Sequence, residues 1–135
     1  MVILVHFMFF ALESVFWMQP FVYSILLGFL DNPVSIDYSI QALTLKKLFI
    51  NQGFYNLFLS IIGMLGMFLA TRKSKQQINT GFVLILVLCF CGIGAGIVLA
   101  LSTKAYLLAL FQGVPAAIAF FLIYPLYQKS ISEIK

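Results

Sequence analysis

The sequence predicts an all-α protein, a four-helix transmembrane bundle with an extra interfacial helix between the first and second spans. Three observations predict it. Of the 135 residues, 63% are hydrophobic and only 9% are charged, against about 25% charged in an ordinary soluble domain. So few polar residues cannot cover this much apolar surface in water, so lipid is the natural solvent. The apolar residues also fall into runs of the length a crossing helix needs, roughly 20 residues. Four such runs with their connectors use up the chain, so residues 1–135 read as a single integral membrane domain.

The first span is expected over about residues 2–18. It has no basic n-region and no small-residue cleavage site after it, so it reads as a retained span and not a signal peptide. It ends at Gln19-Pro20, because proline disfavours helix in the residue before it. Residues 21–30 are apolar but too few to cross alone; they either extend the first helix past a kink or lie in the interface. Asp31-Asn32-Pro33 signals a turn, and Ser35 is placed to cap the next helix. Ile36, Ile40, Leu43 and Leu48 form one apolar stripe beside Asp37, Gln41, Lys46 and Lys47, the pattern of a helix lying at the membrane surface.

The second span is expected over about residues 49–71, followed by a basic polar loop at 72–77. The third span is expected over about 81–101. A tight connection at Ser102-Thr103-Lys104 leads to the fourth, over about 105–127. Arg72, Lys73, Lys75, Lys129 and Lys135 fall on one side of this topology, and Lys46, Lys47 and Lys104 on the other. The excess of five over three predicts both termini in the cytoplasm, with the chain a multi-pass protein of the cell (inner) membrane. The net charge of +4 is scattered and forms no basic run for nucleic acid, so the bilayer is the expected partner.

Polar groups in hydrocarbon are costly and need a reason. Glu13 is the only acidic residue inside a span. His6, Glu13 and Trp17 follow one helix face, the first two about 10 Å apart along the axis. Asn51, Gln52, Tyr55 and Asn56 open the second span and cover an arc of roughly 140°. Gln112 stands in the fourth span beside Gly113 and Pro115. Counted from the outer span ends, Glu13, Asn56 and Gln112 all lie roughly 8–10 Å deep. Helices running in opposite directions therefore bring their polar residues to one level. Interhelical hydrogen bonding is the simplest role for such residues. A carboxyl group that can exchange a proton adds a functional one.

Gly92 and Gly96, with Ala109, Gly113 and Ala117, repeat small residues at helical spacing and point to close packing of the third and fourth spans. No strand precedes Gly92-Ile93-Gly94-Ala95-Gly96, so it is not a nucleotide loop. Cys89 and Cys91 point about 200° apart on a helix and read as small core thiols. One histidine and one glutamate are too few for a protein-made metal site, and no cofactor is expected.

The His6/Glu13/Trp17 span, the Asn51-Gln52-Gly53-x-Tyr55-Asn56 run, the glycine-rich third span and Gln112-Gly113-x-Pro115-Ala116 resemble a family of small bacterial membrane proteins catalogued as a domain of unknown function. The resemblance covers almost the whole chain and implies four spans without implying an activity. In architecture alone the chain is similar to small multidrug resistance transporters, which are four-span proteins with a proton-exchanging glutamate in the first helix. Its loop after the first span is far longer than theirs.

Three functions follow from the residues. One is a binding or catalytic pocket in the outer half of the bilayer for a small lipid-like or amphipathic molecule, with Glu13 as acid/base or anchor. The second is a proton-coupled transporter using Glu13 and His6. The third is a structural or partner-binding subunit. The polar set is one-sided apart from His6, which favours the pocket.

Overall fold

The computed structural model describes residues 1–30 and 35–132. Helix α1 (Val2–Phe10) runs directly into a π-helical segment (Ala11–Val15); α2 (Pro20–Phe29), α3 (Tyr38–Ala70), α4 (Lys75–Thr103) and α5 (Tyr106–Ser132) follow. Helices α3, α4 and α5 are each long and apolar enough to cross a membrane, and α1 to α2 makes a fourth crossing if the bent pair counts as one span.

The bend between that pair is 118°, so α2 turns back and does not extend the first helix. Its cause is local. Phe16 leaves helical geometry, and Gln19 is extended before Pro20 at the first turn of α2. Val22, Leu26 and Leu27 of α2 then pack with Trp17 and with Ala42 of α3. Residues 2–15 make only about 21 Å of helix, less than the roughly 30 Å of a hydrocarbon core. Val2 and Ile3 pack against Leu59, Leu88 and Ala116, part-way along the three long helices. The short first helix therefore lines the half of the bundle nearer the α4–α5 turn.

The surface helix expected around residues 35–48 is not separate. Those residues from Tyr38 onward are the first turns of α3, which continues for 33 residues. No glycine, proline or capping residue between Leu45 and Phe49 ends it, and the polar stripe alone cannot break a helix. Its cap is Asp37 and not Ser35: an Asp37 carboxylate oxygen accepts from the Ser39 backbone N–H at 2.7 Å. That bond holds the Asp37 carboxyl below its usual range. The 72–77 loop is likewise shorter than expected, because α4 already starts at Lys75. The turn signal at 31–33 and the tail from 133 lie outside the described residues.

The long helices pack through glycines. A Cβ on Gly96 would lie 2.9 Å from the Ala109 carbonyl oxygen and 3.0 Å from Gly113 Cα, so the α4 and α5 backbones touch there. Gly92 faces Ala116 and His6 in the same way. A second close contact joins α3 to α4, where a Cβ on Gly81 would meet Ala70 N and lie 2.6 Å from the Gly66 carbonyl oxygen. Lys104, with φ 52°, turns α4 into α5, and Ser130 near the end of α5 hydrogen-bonds Asn79 near the start of α4.

Candidate functional site

A cavity of about 510 Å³ lies at the end of the bundle where α3 begins, α4 ends and α5 begins. Its walls are apolar: Leu26 and Leu30 after the bend, Leu45, Leu48 and Phe49 of α3, Val98 and Leu99 of α4, and Leu108 of α5. Into it project Glu13, Gln52, Asn56 and Gln112.

The π segment sets the position of Glu13. Its wider turn is closed by Phe16 N–H donating to Ala11 O at 2.9 Å, and such turns often occur at functional sites. The segment is pinned to α3 by Ser14, whose hydroxyl donates to Ile50 O at 2.9 Å. Gly53 allows this approach, since a Cβ there would meet Ser14 Oγ and lie 3.1 Å from Glu13 Cβ. Glu13 Oε2 then accepts from Asn56 Nδ2 at 2.9 Å. Asn56 Nδ2 is also 3.4 Å from Gln52 O. Below it, the Ser60 hydroxyl lies within reach of Asn56 O at 3.0 Å and Ile3 O at 3.2 Å.

Two polar groups of the cavity are unlike these. Gln112 is 7% exposed, and its carboxamide has no hydrogen-bond partner among the described residues. The second carboxyl oxygen of Glu13, Oε1, likewise has none. Gln52 stands more exposed on the cavity wall. Ser102 and Thr103 also reach the cavity, but their hydroxyls donate back to Val98 O at 2.7 Å and Leu99 O at 2.8 Å.

The other residues singled out from the sequence lie elsewhere. Trp17 is buried, donates its indole N–H to Ala42 O at 2.9 Å and stacks on Phe49 with ring centres 3.7 Å apart. It therefore supports the cavity wall from behind. His6 is fully buried but does not line the cavity. Its Nδ1 lies 3.0 Å from Val2 O, while Nε2 has no partner. Asn51 and Tyr55 are exposed and outside the cavity; Tyr55 precedes Asn56 by one residue and so points about 100° away from it. Sequence reasoning missed Ser14, Ser60, Ser102 and Thr103. Ser14 had a signal, as the residue beside the only intramembrane acid; the serines and threonine on long apolar helices had none.

Among the described residues no three His, Cys, Asp or Glu side chains come together as a metal site, and Cys89 and Cys91 are free thiols. The arrangement can hold a molecule with a hydrocarbon part against the walls and a hydrogen-bonding head at Glu13 and Gln112. No curated protein and no solved structure matches the chain. The family model described as "Protein of unknown function (DUF1304)" matches residues 1–124, and with nearly all of its length covered the chain belongs to that family.

Proposed function

We propose that this protein binds, or processes, a small lipid-like or amphipathic molecule in the cavity between α2, α3, α4 and α5. One observation carries the reading. Among the described residues the Gln112 carboxamide and Glu13 Oε1 have no hydrogen-bond partner, and both open onto the same largely apolar cavity. Residues that only join helices would spend these groups on each other, as Asn56 does with Glu13. The volume of about 510 Å³ fits within the range of small-molecule sites, roughly 300–1,000 Å³. The proton-relay alternative has less support, because His6 does not line the cavity and bonds only to its own helix.

Gln112→Leu separates a ligand site from helix glue. Loss of an interhelical bond would destabilise the bundle. Loss of a carboxamide with no protein partner should leave stability unchanged or raise it, by up to about 1–3 kcal/mol. We therefore expect Gln112→Leu to unfold in detergent no earlier than the parent. It should also lose amphipathic compounds that mass spectrometry recovers from the purified parent. An earlier unfolding with an unchanged set of recovered compounds would favour glue.

In this reading α3, α4 and α5 cross a cell membrane, and the bent α1 to α2 pair packs into the half of the bundle nearer the α4–α5 turn. The cavity lies in the outer half of the bilayer, and the C-terminus is cytoplasmic. The excess of Lys and Arg on the side of the α3–α4 connection and the tail supports this orientation. A cysteine at Ser132 should react with an impermeant maleimide in inside-out vesicles and not in intact cells. The reverse pattern would invert the topology.

A further inference from the structure

We infer that the head group this cavity selects is a cation, a primary or secondary ammonium on a hydrocarbon chain, and not a phosphate, a carboxylate or an uncharged alcohol. The inference rests on the reading of the cavity as an amphipath site and names the chemistry of its ligand.

Charge is the first ground. Among the described residues lining the cavity, Glu13 is the only ionisable group, and none of them is Lys, Arg or His. Lys46, Lys47 and Lys104 belong to the same end of the bundle, but none of them reaches the lining. An anionic head would lose its hydration here and gain no counter-charge, a transfer that unpaired anions do not tolerate. An ammonium would find one.

Geometry is the second ground. Asn56 Nδ2 donates to Glu13 Oε2 at 2.9 Å. The same bond fixes the carboxyl plane and leaves Oε1 open toward the cavity. Two carboxamides, Gln112 and Gln52, add carbonyl acceptors in the same lining. An ammonium carries up to three N–H donors and no acceptor, and this set offers three acceptor groups, one of them charged. The Ser102 and Thr103 hydroxyls, which could have served an anion as donors, are bonded to their own helix. The apolar walls then take the chain.

The test compares three probes that differ only in the head: dodecylamine, dodecanol and dodecanoate. Binding to the purified full-length protein is read from the emission of Trp17, the single tryptophan of the chain, which stacks on the cavity-lining Phe49. We expect dodecylamine to bind at least about tenfold more tightly than either of the others, as a charge-assisted hydrogen bond requires. In Glu13→Gln the preference for the amine over the alcohol should vanish. Equal affinity for amine and alcohol in the parent would overturn the inference and leave the amphipath site standing; that comparison needs no variant. A preference for dodecanoate, or an amine preference that survives Glu13→Gln, would also overturn it. If none of the three probes binds, the amphipath reading itself fails, and the inference with it.

Discussion

Gly81→Ala should unfold the bundle more easily by about 1–3 kcal/mol, the usual cost of overpacking, whereas Gly94→Ala in the same helix should be neutral or stabilising by up to about 1 kcal/mol. The two substitutions add the same methyl group to α4 and differ only in what it meets. At Gly81 the new Cβ falls on the α3 backbone, 2.6 Å from Gly66 O and against Ala70 N. Backbone cannot rotate away as a side chain can, so α3 and α4 must separate. At Gly94 nothing lies within 4 Å, so only the higher helix propensity of alanine remains. Unfolding of both variants in mixed detergent micelles measures the difference. Equal stability would mean that α3 and α4 do not touch at this point.

Glu13→Gln should fold as the parent does and yet lose the bound amphipath. A glutamine in the same place can still accept from Asn56 Nδ2, which now lies 2.9 Å from Glu13 Oε2. Such interhelical bonds are worth roughly 0.6 kcal/mol on average, so little stability is at stake. What the amide cannot supply is a negative charge at the cavity. Glu13→Leu is the contrasting change. It removes the acceptor and leaves the Asn56 amide short of a partner in a buried site, at a cost of about 1–3 kcal/mol. Unfolding midpoints, together with mass spectrometry of the molecules that co-purify, separate the two effects. A Glu13→Gln protein with the parent's stability and the parent's full complement of amphipath would return Glu13 to a purely structural role.

The helices were legible in the sequence because hydrocarbon imposes long apolar runs, and the break at Gln19-Pro20 was legible because proline has few options. The 118° fold-back was not, since it depends on Val22, Leu26 and Leu27 finding Trp17 and Ala42. The stripe of Lys46 and Lys47 beside apolar residues read as a separate surface helix, but a helix already under way needs a breaker to stop and α3 has none there. Gly92 and Gly96 announced a close helix contact through their spacing to each other. The α3–α4 contact needs Gly66 and Gly81 from two different helices, and no pattern along one segment reveals such a pair.

At the site, depth arithmetic brought Glu13, Asn56 and Gln112 to one level, and these three do line one cavity. The direction each side chain takes around its helix was less accessible. Asn51 and Tyr55 share the middle of α3 with Asn56 yet face outward, and the π segment that aims Glu13 leaves no mark on the sequence. Most hidden of all was that the Gln112 carboxamide opens onto the cavity without a hydrogen-bond partner among the described residues.

That unpartnered carboxamide makes an experimental density map of the protein in lipid the most direct test. At the cavity the account predicts non-protein density within about 3 Å of Glu13 Oε1 and the Gln112 carboxamide, the reach of a hydrogen bond, and continuing along Leu45, Phe49 and Leu99. A map in which Gln112 bonds to another side chain, with the walls collapsed onto one another and no added density, would contradict it.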